Sequence, residues 1–130
     1  MTAFVDTNVV VRHLTGDPPH LAARAITYLR SGETLLLTDL IVAEVVYVLE
    51  FFYEVARSDI ARSLRSLIAF DPVISVDPSL ILRAVELFEV DSMDFADAYL
   101  VACAESTGVG RVASFDRGID RIKTVTRVAP

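Results

Sequence analysis

The sequence predicts an α/β layered domain built on a parallel sheet. Three observations carry that prediction. Five short apolar runs are spread along the chain, continuous rather than alternating, as in strands buried on both faces of a parallel sheet. Stretches with helical spacing lie between them. No repeat, low-complexity tract or linker interrupts the 130 residues, so one domain over residues 1–130 is expected. Strands alternating with helices imply right-handed crossovers.

Taken in order, the first run is Ala3–Val5, and it stops abruptly on Asp6, Thr7 and Asn8. Pro18-Pro19 opens a helix through Arg30, with Leu21, Ala25 and Leu29 spaced four apart and Gly32 as a stop signal. Leu35–Leu37 reads as the second strand. Leu40 to Ala56 reads as one long, buried helix. Ser58 to Phe70 carries Ile60, Leu64, Leu67 and Ile68 on one side and Arg62 with Arg65 on another. Val73–Val76 is the third strand, and Pro78 begins a helix through Phe88. Phe95 to Ser106 is the last helix, stopped by Gly108, and Arg111–Phe115 and Thr124–Val128 are the last strands.

Composition narrows the class. Apolar residues make up 53% of the chain, which argues against disorder. The most apolar stretch, Leu40 to Val55, is short and carries Glu44, Glu50 and Glu54, so no membrane span is expected. The N-terminus lacks the zones of a signal peptide. Cys103 is the single cysteine, so no internal disulfide can form, and a cytoplasmic setting fits best. The formal charge of −6 argues against nucleic acid, yet 11 of the 12 basic residues are arginine, whose fork suits phosphate. Charge alone leaves the partner open.

In open α/β sheets, ligands bind outside the carboxyl ends of the strands. Asp6 ends the first run, and Asp116 follows Val112-Ala113-Ser114-Phe115. Asp97 lies in the first turn of its helix, and Glu44 in the first turns of the long one. Glu44 has Leu40, Ile41, Tyr47 and Val48 as helical neighbours, so partial burial is expected, and a buried carboxylate needs a partner or a cation. Each acid has a plainer alternative. Asp6 can cap the following short helix, Glu44 can pair with an arginine, and Asp116 can begin the turn Asp116-Arg117-Gly118. Asp94 is assigned to the helix cap with Asp97 three residues on, Asp120 to solvent, and Glu50 and Glu54 to a solvated edge.

Four acids at one sheet edge would repel unless neutralised, and hard divalent cations do that. Mg²⁺ and Mn²⁺ favour carboxylate and water oxygens. Beside a phosphodiester, such ions can activate a water and stabilise the leaving oxygen. Thr7, Asn8 and Ser114 could hold the carboxylates or waters. There is no HExxH, P-loop or Cys/His zinc spacing, and His13 and His20 read as packing or surface residues. The stretch "GVGRVA" follows a helix and enters a strand, the wrong order for a dinucleotide loop.

The stretches "FVDTNVVVRHL", "LIVAEVVYVL", "DFADAYLVACA" and "VASFDRGIDRI" occur in the order seen in PIN-domain proteins. They most resemble the VapC-type toxins of bacterial toxin–antitoxin pairs. The resemblance implies a PIN-like three-layer α/β fold with strand order 3-2-1-4-5. It also implies a Mg²⁺- or Mn²⁺-dependent endoribonuclease, usually a homodimer, held inactive by a VapB-type antitoxin. The family's acidic positions fall on Asp6, Glu44, Asp97 and Asp116, and its early polar residues and late hydroxyl on Thr7, Asn8 and Ser114. Many relatives carry a further acid where this chain has Gly118, which puts a second metal ligand in doubt.

Arg12, Arg117 and Arg121 are candidates for RNA phosphates. Tyr47, Phe51, Phe52 and Tyr53 are candidates for a dimer or antitoxin contact, because the long helix is more apolar than one side of a small sheet requires. Two rival readings are a non-catalytic PIN-fold binding module and a phospho-receiver domain. The receiver would want paired acids after the first strand, where Asp6 stands alone, and Lys123 fits its late lysine poorly.

Overall fold

All five expected strands form within two residues of their expected bounds in the computed structural model, which describes every residue from Met1 to Pro130. The chain divides into two compact units, Met1–Val76 and Asp77–Pro130. Of the expected order 3-2-1-4-5, the parallel ladder 3-2-1 forms in the first unit and the parallel ladder 4-5 in the second.

In the first unit, β1 (Thr2–Phe4) and β3 (Val73–Ile74) flank β2 (Thr34–Leu36). Leu35 pairs with Ala3 on one side and Val73 on the other, and it is fully buried. The ladder runs slightly past the strand ends, with the Val5 N–H donating to the Leu36 carbonyl at 2.9 Å and the Leu37 N–H to the Ile74 carbonyl at 2.9 Å. Helices α1 (Thr7–Thr15) and α2 (Pro19–Leu29) make the first crossover. Gly16 ends α1 in the left-handed conformation (φ 70°), which L-residues adopt only at a cost. Pro19 opens α2 at its first position, where a missing N–H breaks no bond. Helices α3 (Asp39–Tyr47) and α4 (Arg57–Ala69) belong to the second crossover, and the Thr38 hydroxyl caps α3 by accepting from the Ile41 N–H at 3.3 Å.

The helix expected over Leu40–Ala56 is not continuous. After Tyr47 it widens into a π-helical turn, Val48–Phe52, and stops at Glu54, which takes a left-handed φ of 53°. The Tyr53 N–H donates to the Val48 carbonyl and the Val55 N–H to the Leu49 carbonyl, so the last carbonyls are satisfied by a C-terminal motif. A glutamate rather than a glycine holds the stop position, so no residue type announced it. Glu50 also departs from expectation. It pairs with Arg57 at 3.2 Å, and its side chain is only 16% exposed.

In the second unit, α5 (Pro78–Val90) packs on α6 (Phe95–Thr107) through buried Ile81, Val85, Phe88, Ala98 and Val101. Small residues on α6 permit the close approach. The Phe88 and Phe95 rings meet edge to face at 6.1 Å. Helix α6 leads into β4 (Arg111–Ala113), which pairs in parallel with β5 (Thr126–Val128) across a 3₁₀ turn, Arg117–Arg121. Arg83 forks onto Glu105 at 2.8 and 3.0 Å, and the Thr124 hydroxyl donates to the same carboxylate.

That fork yields a stability prediction. The Arg83 bond, followed by the Thr124 bond and the Arg83 charge, holds the Glu105 carboxyl below its usual range against the opposing effect of burial. Glu105→Gln is expected to lower stability by about 1–3 kcal/mol near neutral pH in a denaturant titration. A group lowered on folding stabilises above its unfolded titration range and loses that contribution as pH falls through the lowered value. The gap between wild type and variant is therefore expected to narrow in acid.

Candidate active site

The polar residues that end β1 sit where the strand turns directly into α1. Asp6 occupies the N-cap position of α1 with extended backbone (φ −83°, ψ 155°), yet its side chain makes no capping bond. Its exposed carboxylate is therefore left over for another partner, and the capping alternative does not hold. Thr7 is the one polar or charged residue in the buried class, 7% exposed. Its hydroxyl donates to Glu44 Oε2 at 2.6 Å, a short charge-assisted bond that ties the start of α1 to α3.

Glu44 itself is exposed, not partly buried as expected. Helix α3 buries Val42, Val45 and Val46, while Leu40 and Tyr47, on the Glu44 side, are 69% and 65% exposed. The helix is apolar nearly all round, so apolar neighbours did not mark the buried side. Asn8 is also exposed, and it lines a groove between α1 and α2 rather than meeting Glu44.

The second unit holds the other acids at the end of β4. The Ser114 hydroxyl accepts from the Asp116 N–H at 3.0 Å, and Asp116 Oδ1 accepts from the Gly118 N–H at 2.8 Å. These two successive turns aim the Asp116 carboxylate and start the 3₁₀ turn. A Cβ on Gly118 would lie 3.1 Å from Asp116 Oδ1, so the glycine allows its N–H to reach that oxygen without crowding. The spacing Ser-x-Asp-x-Gly was the sequence signal for this device.

Asp97, in the first turn of α6, meets Asp116. The two carboxyls share a hydrogen bond and move in opposite directions. Burial pushes the Asp97 carboxyl up, aided by the Asp116 bond and the charges of Asp116 and Asp94. The Gly118 N–H holds Asp116 down, aided by the Asp97 bond and the charges of Arg121 and Arg127. When the pair takes up a proton, Asp97 is therefore the carboxyl that takes it first.

Asp94 takes the N-cap position of α6 as expected, but its side chain makes no capping bond. It lines, with Asp97, Asp116, Gly118 and Arg121, a cleft of about 110 Å³. Asp120 is not merely solvated. It forks with Arg127 at 3.0 and 3.2 Å, and Arg127 also donates to the Ser114 carbonyl at 3.1 Å. This arginine, which the sequence did not single out, ties β5 to the turn that carries Asp116.

The expected acids thus appear as pairs or singly within each unit. Nowhere do three His, Cys, Asp or Glu side chains form a group able to hold a metal ion. The donors nevertheless fit a hard cation. They are carboxylate oxygens with no sulfur or imidazole among them, and in one pair two carboxyls lie close enough to raise the titration of Asp97, a repulsion that a cation would relieve.

Residues 3–125 match the family described as PIN domain, a span that takes in both units. No curated protein matches the chain.

Proposed function

From the premise that the chain belongs to the PIN-domain family, a family of nucleases that typically depend on divalent metals, we propose that it is a Mg²⁺- or Mn²⁺-dependent endoribonuclease, the toxin of a VapC-type toxin–antitoxin pair. One observation supports this most. Asp97 and Asp116 are held against each other beside Asp94, an arrangement that is unfavourable without a proton or a cation.

The proposal assigns Asp6, Glu44, Asp97 and Asp116 as metal ligands. When bound, the ion supplies Lewis acidity and positive charge at the scissile phosphodiester. Thr7 fixes Glu44 through its hydroxyl, so that carboxylate presents its remaining oxygen in a defined direction. Ser114 and Gly118 orient Asp116 through the backbone bonds on either side of it. Asp97, raised by burial and by Asp116, is the carboxyl of the pair for which proton and cation compete. No histidine is needed as a base.

The proposal includes a VapB-type antitoxin, a homodimer and a cytoplasmic location. Tyr47, Phe51 and Phe52 are 65%, 62% and 76% exposed and support a contact surface on α3 and the turn after it. Tyr53 is withdrawn from that set. It is half-buried, and its hydroxyl donates to Asp17 Oδ2 at 2.8 Å. No helix is long and apolar enough to cross a membrane.

The test is cleavage of pooled cellular RNA by the purified chain with Mg²⁺, Mn²⁺ or EDTA, beside Asp6→Asn. Discrete, metal-dependent cuts that disappear in the variant are expected. Absence of cuts in any metal, from folded protein free of antitoxin, would turn the assignment to the non-catalytic binding module.

A further inference from the structure

We propose that the groove between α1 and α2 is a binding track for single-stranded RNA that begins beside Asp6. The inference rests on the nuclease reading for its biological meaning but not for its test. The groove has a volume of about 420 Å³, within the range of about 300–1,000 Å³ in which small-ligand sites fall. Asn8 and Arg12 reach it from α1, and Arg24 and Tyr28 from α2. Each pair is four residues apart, so each presents two side chains on one helical face.

Two unpaired guanidiniums mark this groove. The chain carries a formal charge of −6, yet no carboxylate lines the groove. Arg12 donates only to the Asp17 backbone carbonyl, at 3.2 Å, and neither Arg12 nor Arg24 is paired with an acid. Arg57, Arg62, Arg83 and Arg127 have carboxylate partners, Arg30 and Arg111 do not, and this groove brings two unpaired guanidiniums onto one lining. Two guanidiniums without counter-ions along one groove suit successive phosphates.

The remaining groups suit bases. Tyr28, 37% exposed, offers a ring face for stacking, and the Asn8 carboxamide offers both a donor and an acceptor to a base edge. Leu21 and Val9 supply apolar walls. Bases in an A-form duplex are stacked and their major-groove edges are out of reach, so this set of groups selects an unpaired strand. Asn8 lies two residues beyond Asp6 and next to Thr7, so a strand in the groove leads toward the acid end of α1.

The experiment is fluorescence anisotropy of a labelled single-stranded RNA octamer with the full chain in EDTA, where no metal-dependent cleavage occurs. Arg12→Gln with Arg24→Gln is compared with wild type and with Arg65→Gln plus Arg111→Gln, which removes the same charge elsewhere. The groove variant is expected to bind at least about tenfold more weakly, with the slope of log affinity against log salt reduced by about 1.4, two phosphates at about 0.7 each. Tyr28→Ala is expected to weaken binding about 5- to 100-fold with the salt slope unchanged. A melting curve for each variant, unshifted from wild type, keeps these losses distinct from unfolding. Equal affinity of the groove variant and wild type overturns the inference. So does an equal loss in the control pair, or equal affinity for a duplex of the same composition. Groove-dependent binding by a protein that never cuts RNA would defeat the nuclease reading and leave this one standing.

Discussion

Asp97→Asn is expected to abolish RNA cleavage and leave the protein at least as thermally stable as wild type near neutral pH. The activity loss should exceed about 100-fold, because replacing even an outer partner of a metal ligand typically costs 10–100-fold. The stability side follows from the pairing with Asp116. Asp97 titrates above its ordinary value, so the native state holds the proton more tightly than the unfolded chain does. That contribution is complete below the unfolded value and is lost as pH rises through the raised one. Above that raised range both carboxylates are pressed together with charge on each. A carboxamide keeps the shape, can donate to Asp116 as the protonated carboxyl does, and never ionises. Added Mn²⁺ should raise the melting temperature of wild type and not of the variant. Wild-type cleavage rates in Asp97→Asn would remove this residue from the site, and a large fall in its metal-free melting temperature would mean the pair is structural.

Mn²⁺ affinity is expected to fall about tenfold for each pH unit as pH drops through the raised titration range of Asp97, with close to one proton released per ion bound. The sign comes from competition. Cation and proton seek the same oxygens, and the proton is held on Asp97 by burial and by the neighbouring Asp116 charge. Asp116 contributes little to the slope in that range, because the Gly118 N–H keeps it ionised to lower pH. Calorimetric titrations in buffers of different ionisation enthalpy would count the protons. Asp97→Asn should bind Mn²⁺ weakly with a flat pH profile. A profile equally steep in wild type and variant would place the linked proton on another group.

Much of this molecule is legible in its order of residues. Short continuous apolar runs located all five strands, but the expected burial on both faces does not hold: in β1 and β4 the central residue is more covered and its two neighbours are exposed. Pro19, Pro78 and Gly108 mark helix ends through backbone geometry alone, so those boundaries required no knowledge of packing. Asp6, Asp97 and Asp116 were located by the same logic, since strand ends and helix starts follow from the pattern.

Packing and long-range bonds decided the rest. The long apolar stretch after Leu40 was readable as helix but not as a helix broken at Glu54, because a non-glycine stop is chosen by the carbonyls it satisfies. Its uniform apolarity also concealed which side faces solvent, and with it the exposure of Glu44. The Thr7–Glu44 bond joins residues 37 apart, and the Asp120–Arg127 fork pins one parallel strand to another's exit turn. Sequence determined which residue types stand at the strand ends. Only the folded chain decided which of those side chains meet, because hydrogen bonds and shared protons depend on separations of a few tenths of an ångström that no residue pattern encodes.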